Sequence, residues 1–118
     1  MAVLDREEFI EQGYFFHAFR ERLADGVPSQ EILQRIGEEL LSTTRLPIAI
    51  GFLATESRVS GLMAPAMQQL SHYFTAFQTH VVAQDEADLS RFPMEQALLV
   101  LEREVEYKAK GASIAGLF

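Results

Sequence analysis

Two charges stand where the sequence calls for an apolar helix face. Arg20 lies between Phe16 and Leu23, about one helical turn from each, and Glu56 lies between Phe52 and Val59 in the same way. A lone charge among apolar neighbours carries a large desolvation cost, so each needs a partner or a route to water. Three arrangements meet that need. Each side chain can pack its stem along the core edge and keep its head in solvent. The guanidinium fork of Arg20 can instead pair with the Glu56 carboxylate and fix the register of two helices. Or the two can line a pocket for an anionic or apolar small molecule, with Arg45 and His80 as the other candidate ligand-binding residues.

The remaining chemistry-bearing residues are weaker candidates. Metal sites on helices draw ligands three or four residues apart, and of His17, His72 and His80 only His17 has such a neighbour, Glu21. That pair reads as an i,i+4 surface contact, so no metal ligand and no cofactor is assigned. Ser42, Thr43, Thr44 and Arg45 precede a helix start, where hydroxyls and free N–H groups could hold an anion, although a cap and turn are all that the pattern requires. There is no GxSxG, P-loop, dinucleotide fingerprint, EF-hand loop or HExxH. No catalytic residue is assigned, and an enzyme is the less favoured class.

The elements that must position these residues are helical. The segment 8–23 gathers Phe9, Tyr14, Phe15, Phe16 and Phe19, and its apolar arc spans roughly 220° at about 100° per residue, wider than one-sided burial requires. Asp5 is a plausible N-cap and Asp25-Gly26 the stop. A second helix over 29–42 carries the stripe Ile32, Leu33, Ile36 and Leu40, and the short loop makes it antiparallel to the first. A third runs over 47–59 with Ile48, Phe52 and Val59 as its expected core face. The stretch 65–88 is one helix, or a short and a longer one broken near Ser71. Asp85 to Asp88 puts acid at a helix C-terminus, which calls for fraying or a neighbouring cation. Pro93 opens the last helix, with Met94, Leu98, Leu101 and Val105 as its main stripe; Gly111 ends it, leaving 111–118 as a mobile apolar tail. The echo between Phe16-His17-Ala18-Phe19 and Phe74-Thr75-Ala76-Phe77 reads as shared helix grammar rather than a repeat. Strand evidence is slight. The expectation is an all-α, compact bundle of five helices, or six if the 65–88 stretch breaks, in one domain with largely antiparallel neighbours.

Composition sets the outer limits. A chain of 118 residues with 48% hydrophobic content has enough apolar mass for one core. Ten Lys and Arg against seventeen Asp and Glu give a net charge of -7, which disfavours nucleic acid as a partner because phosphate neutralisation needs a basic face. No cysteine is present, so disulfides and thiolate chemistry are excluded. With neither a leader pattern nor a membrane span in view, a cytoplasmic protein is expected. Nine Phe, three Tyr and four Met exceed what a small core absorbs. Tyr14, Phe15, Leu99, Val100 and Tyr107 fall off the main stripes, as do the terminal Leu117 and Phe118, and the first five are the candidate interface residues. The functional expectation is a protein-interaction or structural module that acts as a homodimer or binds another protein. The competing class is a small-molecule binder built around Arg20 and Glu56.

Overall fold

Helix ends in this chain are set by a few capping residues. The computed structural model describes residues 6–40, 44–87 and 94–115, with side chains through Lys110. The first helix, α1 (Arg6–Ala24), stops at Gly26, whose φ of 86° is a left-handed conformation that a side chain would strain. There Val27 N–H donates to Arg22 O and Gly26 N–H to Leu23 O, the paired closure of a Schellman turn. Pro28 then leads into α2 (Ser29–Glu39), and Pro47 occupies the first turn of α3 (Leu46–Ser60), which Gly61 ends at φ 80°. Asp5, Ser42, Thr43, Asp88, Pro93 and 116–118 lie outside the described residues.

Six helices form and, among the described residues, no strand. The bundle is all-α. The break in 65–88 is real: α4 (Ala64–Gln69) ends at Leu70, and α5 (Ala76–Ala87) begins afresh. The cause is a reciprocal cap. Gln78 N–H donates to Thr75 Oγ1 at 3.1 Å, while Thr75 N–H donates to Gln78 Oε1 at 3.0 Å. The turn between the two helices buries Tyr73 and Phe74, whose rings meet edge to face at 5.0 Å. The Phe74-Thr75-Ala76-Phe77 stretch is thus a turn and a cap, unlike its mid-helix counterpart in α1.

The last helix, α6 (Met94–Ala115), passes through Gly111 instead of ending there. It lies antiparallel along α1. Phe9 sits beneath Lys108, Gly13 beside Val105, and Arg20 beside Glu102. Phe16, Phe19, Leu98, Leu101 and Val105 close this seam, each removed from water and each contributing on the order of 1.5–3 kcal/mol by burial.

The third helix is rotated relative to expectation. Its core side is Leu46, Ala49, Ile50, Leu53, Ala54 and Ser57, whereas Ile48 and Val59 are 81% and 86% exposed and Phe52 is only partly buried. Both faces of this helix are apolar, so periodicity allowed two solutions. Close packing chose between them. Gly37 of α2 lies against Ile50, and the side chains of Gln30 and Ser57 bond at 2.6 Å. Ile50 takes the space that Gly37 leaves open, with Leu46 and Leu53 buried on the same side, and Ile48 and Val59 remain outside.

Candidate functional site

Three polar constellations and one apolar groove are the places where function could reside. The first is the charge cluster on the α1–α6 seam. Arg20 Nη2 donates to Glu102 Oε1 at 2.9 Å, and His17 Nδ1 lies 3.1 Å from Glu102 Oε2 and 3.2 Å from Arg20 Nη2. On its other edge His17 Nε2 is 3.3 Å from Glu21 Oε2, the expected i,i+4 contact. The partner of Arg20 is therefore Glu102. Glu56 sits on the outer side of α3, so the proposed Arg20–Glu56 pair does not form. Glu56 is half-buried there, on a face that Ile48 and Val59 show to be the outer one. Both oxygens of Glu102 are engaged, one by Arg20 and one by His17. The physical effect of the cluster is to hold α1 and α6 in register.

The second constellation is a buried set at the start of α3. The carboxylate of Glu8 accepts Arg45 N–H at 2.6 Å and Tyr73 O–H at 2.8 Å, while Gln78 Nε2 donates to Gln12 Oε1 at 3.0 Å. Burial, together with the Glu8 carboxylate, pushes the Tyr73 phenol far above its ordinary range. The helix start flagged as a generic anion site already has its anion, supplied by the protein itself. The third repeats the device: Glu86 accepts N–H groups from Met63 at 2.7 Å and Ala64 at 3.0 Å, capping α4 from across the fold. Of the acid at the end of α5, Glu86 thus finds a helix N-terminus. Burial raises the Glu86 carboxyl above the usual carboxylate range in spite of those two donors.

The apolar groove lies between α5 and α6. Phe77, His80, Val81, Gln84, Asp85, Ala97 and Val100 line it, and its volume is about 370 Å³. Phe77 and Val100 are each nearly half exposed. Ala97, Val100, Glu104 and Tyr107 recur three, four and three residues apart, so the outer line of α6 continues from the groove to Tyr107.

The ligand-binding candidates are dispersed over the molecule. Arg20 is in the α1–α6 seam, Glu56 on the outside of α3, Arg45 at the start of α3, and His80 at the α5–α6 groove. The interface candidates divide. Tyr14 is exposed and donates to Glu39 at 2.7 Å, and Val100 and Tyr107 are exposed. Phe15 is a core residue at 2% exposure, packed on Phe16 and Phe19, because it turns toward the bundle with them. Leu99 is half-buried and faces the α1 side beside Arg20 and Asp25, so it belongs to a different flank of α6 from Val100. Sequence reasoning missed Glu102 and Phe77. Glu102 left a signal, since it falls within about 40° of the Leu98–Val105 stripe.

No protein-family model, curated protein or solved structure matches the chain. Among the described residues, no cluster of three His, Asp or Glu side chains is arranged to hold a metal ion, and no helix is long and apolar enough to cross a membrane.

Proposed function

We propose that this protein is an interaction module whose α5–α6 groove receives the apolar side of a helix from another protein. The observation that carries the reading is the half-exposed apolar pair Phe77 and Val100, which share one groove with Val81 and Ala97, with Tyr107, 79% exposed, further along the same side of α6 past the Glu104–Lys108 ion pair. A small-molecule pocket would end at its own walls and gather several polar groups. Here exposed apolar surface recurs beyond the groove, at Tyr107 on the same side of α6. A partner helix with apolar anchors at i, i+3 or i+4 and i+7 matches this shape. The net charge of -7 favours Lys or Arg beside those anchors, chiefly through the association rate. The role is binding and not catalysis, and a chain free of cysteine works equally well in the reducing cytoplasm.

The test is selection from a displayed library of amphipathic helical peptides, followed by titration of the survivors. Phe77→Ser and Val100→Ser should each weaken a selected peptide at least tenfold, and Val59→Lys should leave its affinity unchanged. Selection of no peptide that depends on Phe77 or Val100 would sink the reading.

A further inference from the structure

We propose that the outer face of α3 is a self-association surface, on which a second copy of this chain docks antiparallel about a two-fold axis. This surface is separate from the α5–α6 groove, and the inference does not rest on the reading given to that groove. Ile48, Phe52, Thr55 and Val59 are spaced four, three and four residues apart, the pattern of a coiled-coil seam; Ile48, Thr55 and Val59 are exposed, and Phe52 is half-buried with part of its side chain on the core. The seam is self-complementary. With the axis crossing α3 between Leu53 and Ala54, Ile48 of one copy faces Val59 of the other, and Phe52 faces Thr55, each contact occurring twice. The hydroxyl of Thr55 donates to Gly51 O at 3.0 Å, so that residue offers a methyl group to the seam without an unpaired donor.

Charge agrees with the same axis. Beside the seam runs the α2–α3 groove, lined in part by Glu38, Gly51 and Arg58. Among the described residues Glu31 pairs with Arg35 at 3.2 Å, whereas Glu38 and Arg58 have no ionic partner within the chain. Gly37 lies beside Ile50, which puts Glu38 next to the first turn of α3. The two-fold axis brings that turn level with Arg58 of the other copy, twice over. Gly51 lies on the path between them, with nothing within 4 Å of where a Cβ would stand.

Area sets the strength. Fifteen helical residues make a ridge about 22 Å long. A strip one helix wide along it falls well short of the ~800 Å² per partner of a standard stable interface, and including the α2 flank only approaches that figure. The pair is accordingly a concentration-dependent dimer in the micromolar range or weaker, not an obligate one.

The absence of native cysteine makes a direct test clean. The Ile48→Cys and Val59→Cys variants, alone and mixed, are oxidised at high protein concentration. The mixture should give a cross-linked dimer joining position 48 to position 59, and either variant alone should give at least tenfold less, because residues 48 and 59 are about 16 Å apart along the helix. In sedimentation velocity the wild type should dimerise with rising concentration, and Val59→Lys should weaken that at least tenfold without changing the melting temperature. Arg58→Glu should weaken it less, with partial rescue by adding Glu38→Arg. Cross-links of 48 to 48 or 59 to 59, or a monomer at all concentrations up to the millimolar range, would overturn the proposal.

Discussion

The α1–α6 seam and the outer face of α3 distribute charge and apolar area in opposite ways. In the seam, Arg20 and Glu102 pair between the helices at 2.9 Å, with Glu102 buried and Arg20 partly so. On α3, Ile48 and Val59 stand in water, with Glu56 beside them. Hydropathy alone would exchange the two. The difference teaches that a residue is buried because a neighbouring helix can approach it. Along α1, Phe16 and Phe19 are covered by α6, and on α3 Leu46, Ile50 and Leu53 are buried on the inner side while Ile48 and Val59 are left outside.

The largest expected contrast is between the two glutamates. Glu102→Ala removes the partner of a half-buried Arg20 and also releases His17, so unfolding by urea should show a loss of about 2 kcal/mol, below the figure for a fully buried pair because Arg20 retains some water. Glu56→Ala should change stability by no more than about 0.5 kcal/mol. Equal losses in the two variants would abolish the distinction between the faces.

A smaller effect should come from Gly13→Ala. A Cβ there meets Val105 Cγ2 at 3.7 Å, an ordinary contact, so the helix-propensity gain of up to about 1 kcal/mol is expected to appear as a higher melting temperature. A fall would mean that the seam is tighter than its geometry indicates.

The smallest effects are in pH dependence, where two carboxylates act with opposite sign. The hydrogen bond from Arg22 at 2.7 Å, and then that from Tyr14, hold the Glu39 carboxyl below the usual carboxylate range. Its contribution is present above its unfolded value and lost as pH falls through the lowered folded one. Burial raises Glu86 instead, so its contribution is full below the ordinary value near 4.5 and lost as pH rises through the raised folded one. Urea unfolding as a function of pH should therefore lose a small part of its acid sensitivity in Glu39→Gln and part of the decline toward neutral pH in Glu86→Gln.

Much of the architecture was legible because it rests on local signals. Gly26, Pro28, Pro47 and Gly61 mark ends by backbone geometry, and the stripe Leu98, Leu101 and Val105 is one-sided. The break before α5 was legible too, in Thr75 and Gln78 three residues apart, but it requires reading a cap inside an apolar run with no Gly or Pro. The site was far less legible. That Arg20 needs a partner follows from its neighbours, but the partner lies 82 residues away, and several glutamates satisfy the same electrostatic demand. On α3 the period fits both faces, and only the close approach of α2 decides between them. Val100 and Tyr107 stand out as off-stripe residues, yet the groove also needs Phe77, whose exposure depends on how α5 lies against α6.

The carboxylates that cap α3 and α4 from a distance give the fold an order in time. During synthesis Glu8 is made 37 residues ahead of the Arg45 N–H that it accepts, so the start of α3 emerges with its acceptor already waiting. Met63 and Ala64 precede Glu86 by 23 and 22 residues, so the start of α4 must stay hydrated until α5 is nearly complete. The nascent chain can therefore secure the front of α3 early, whereas α4 has to be fastened from behind.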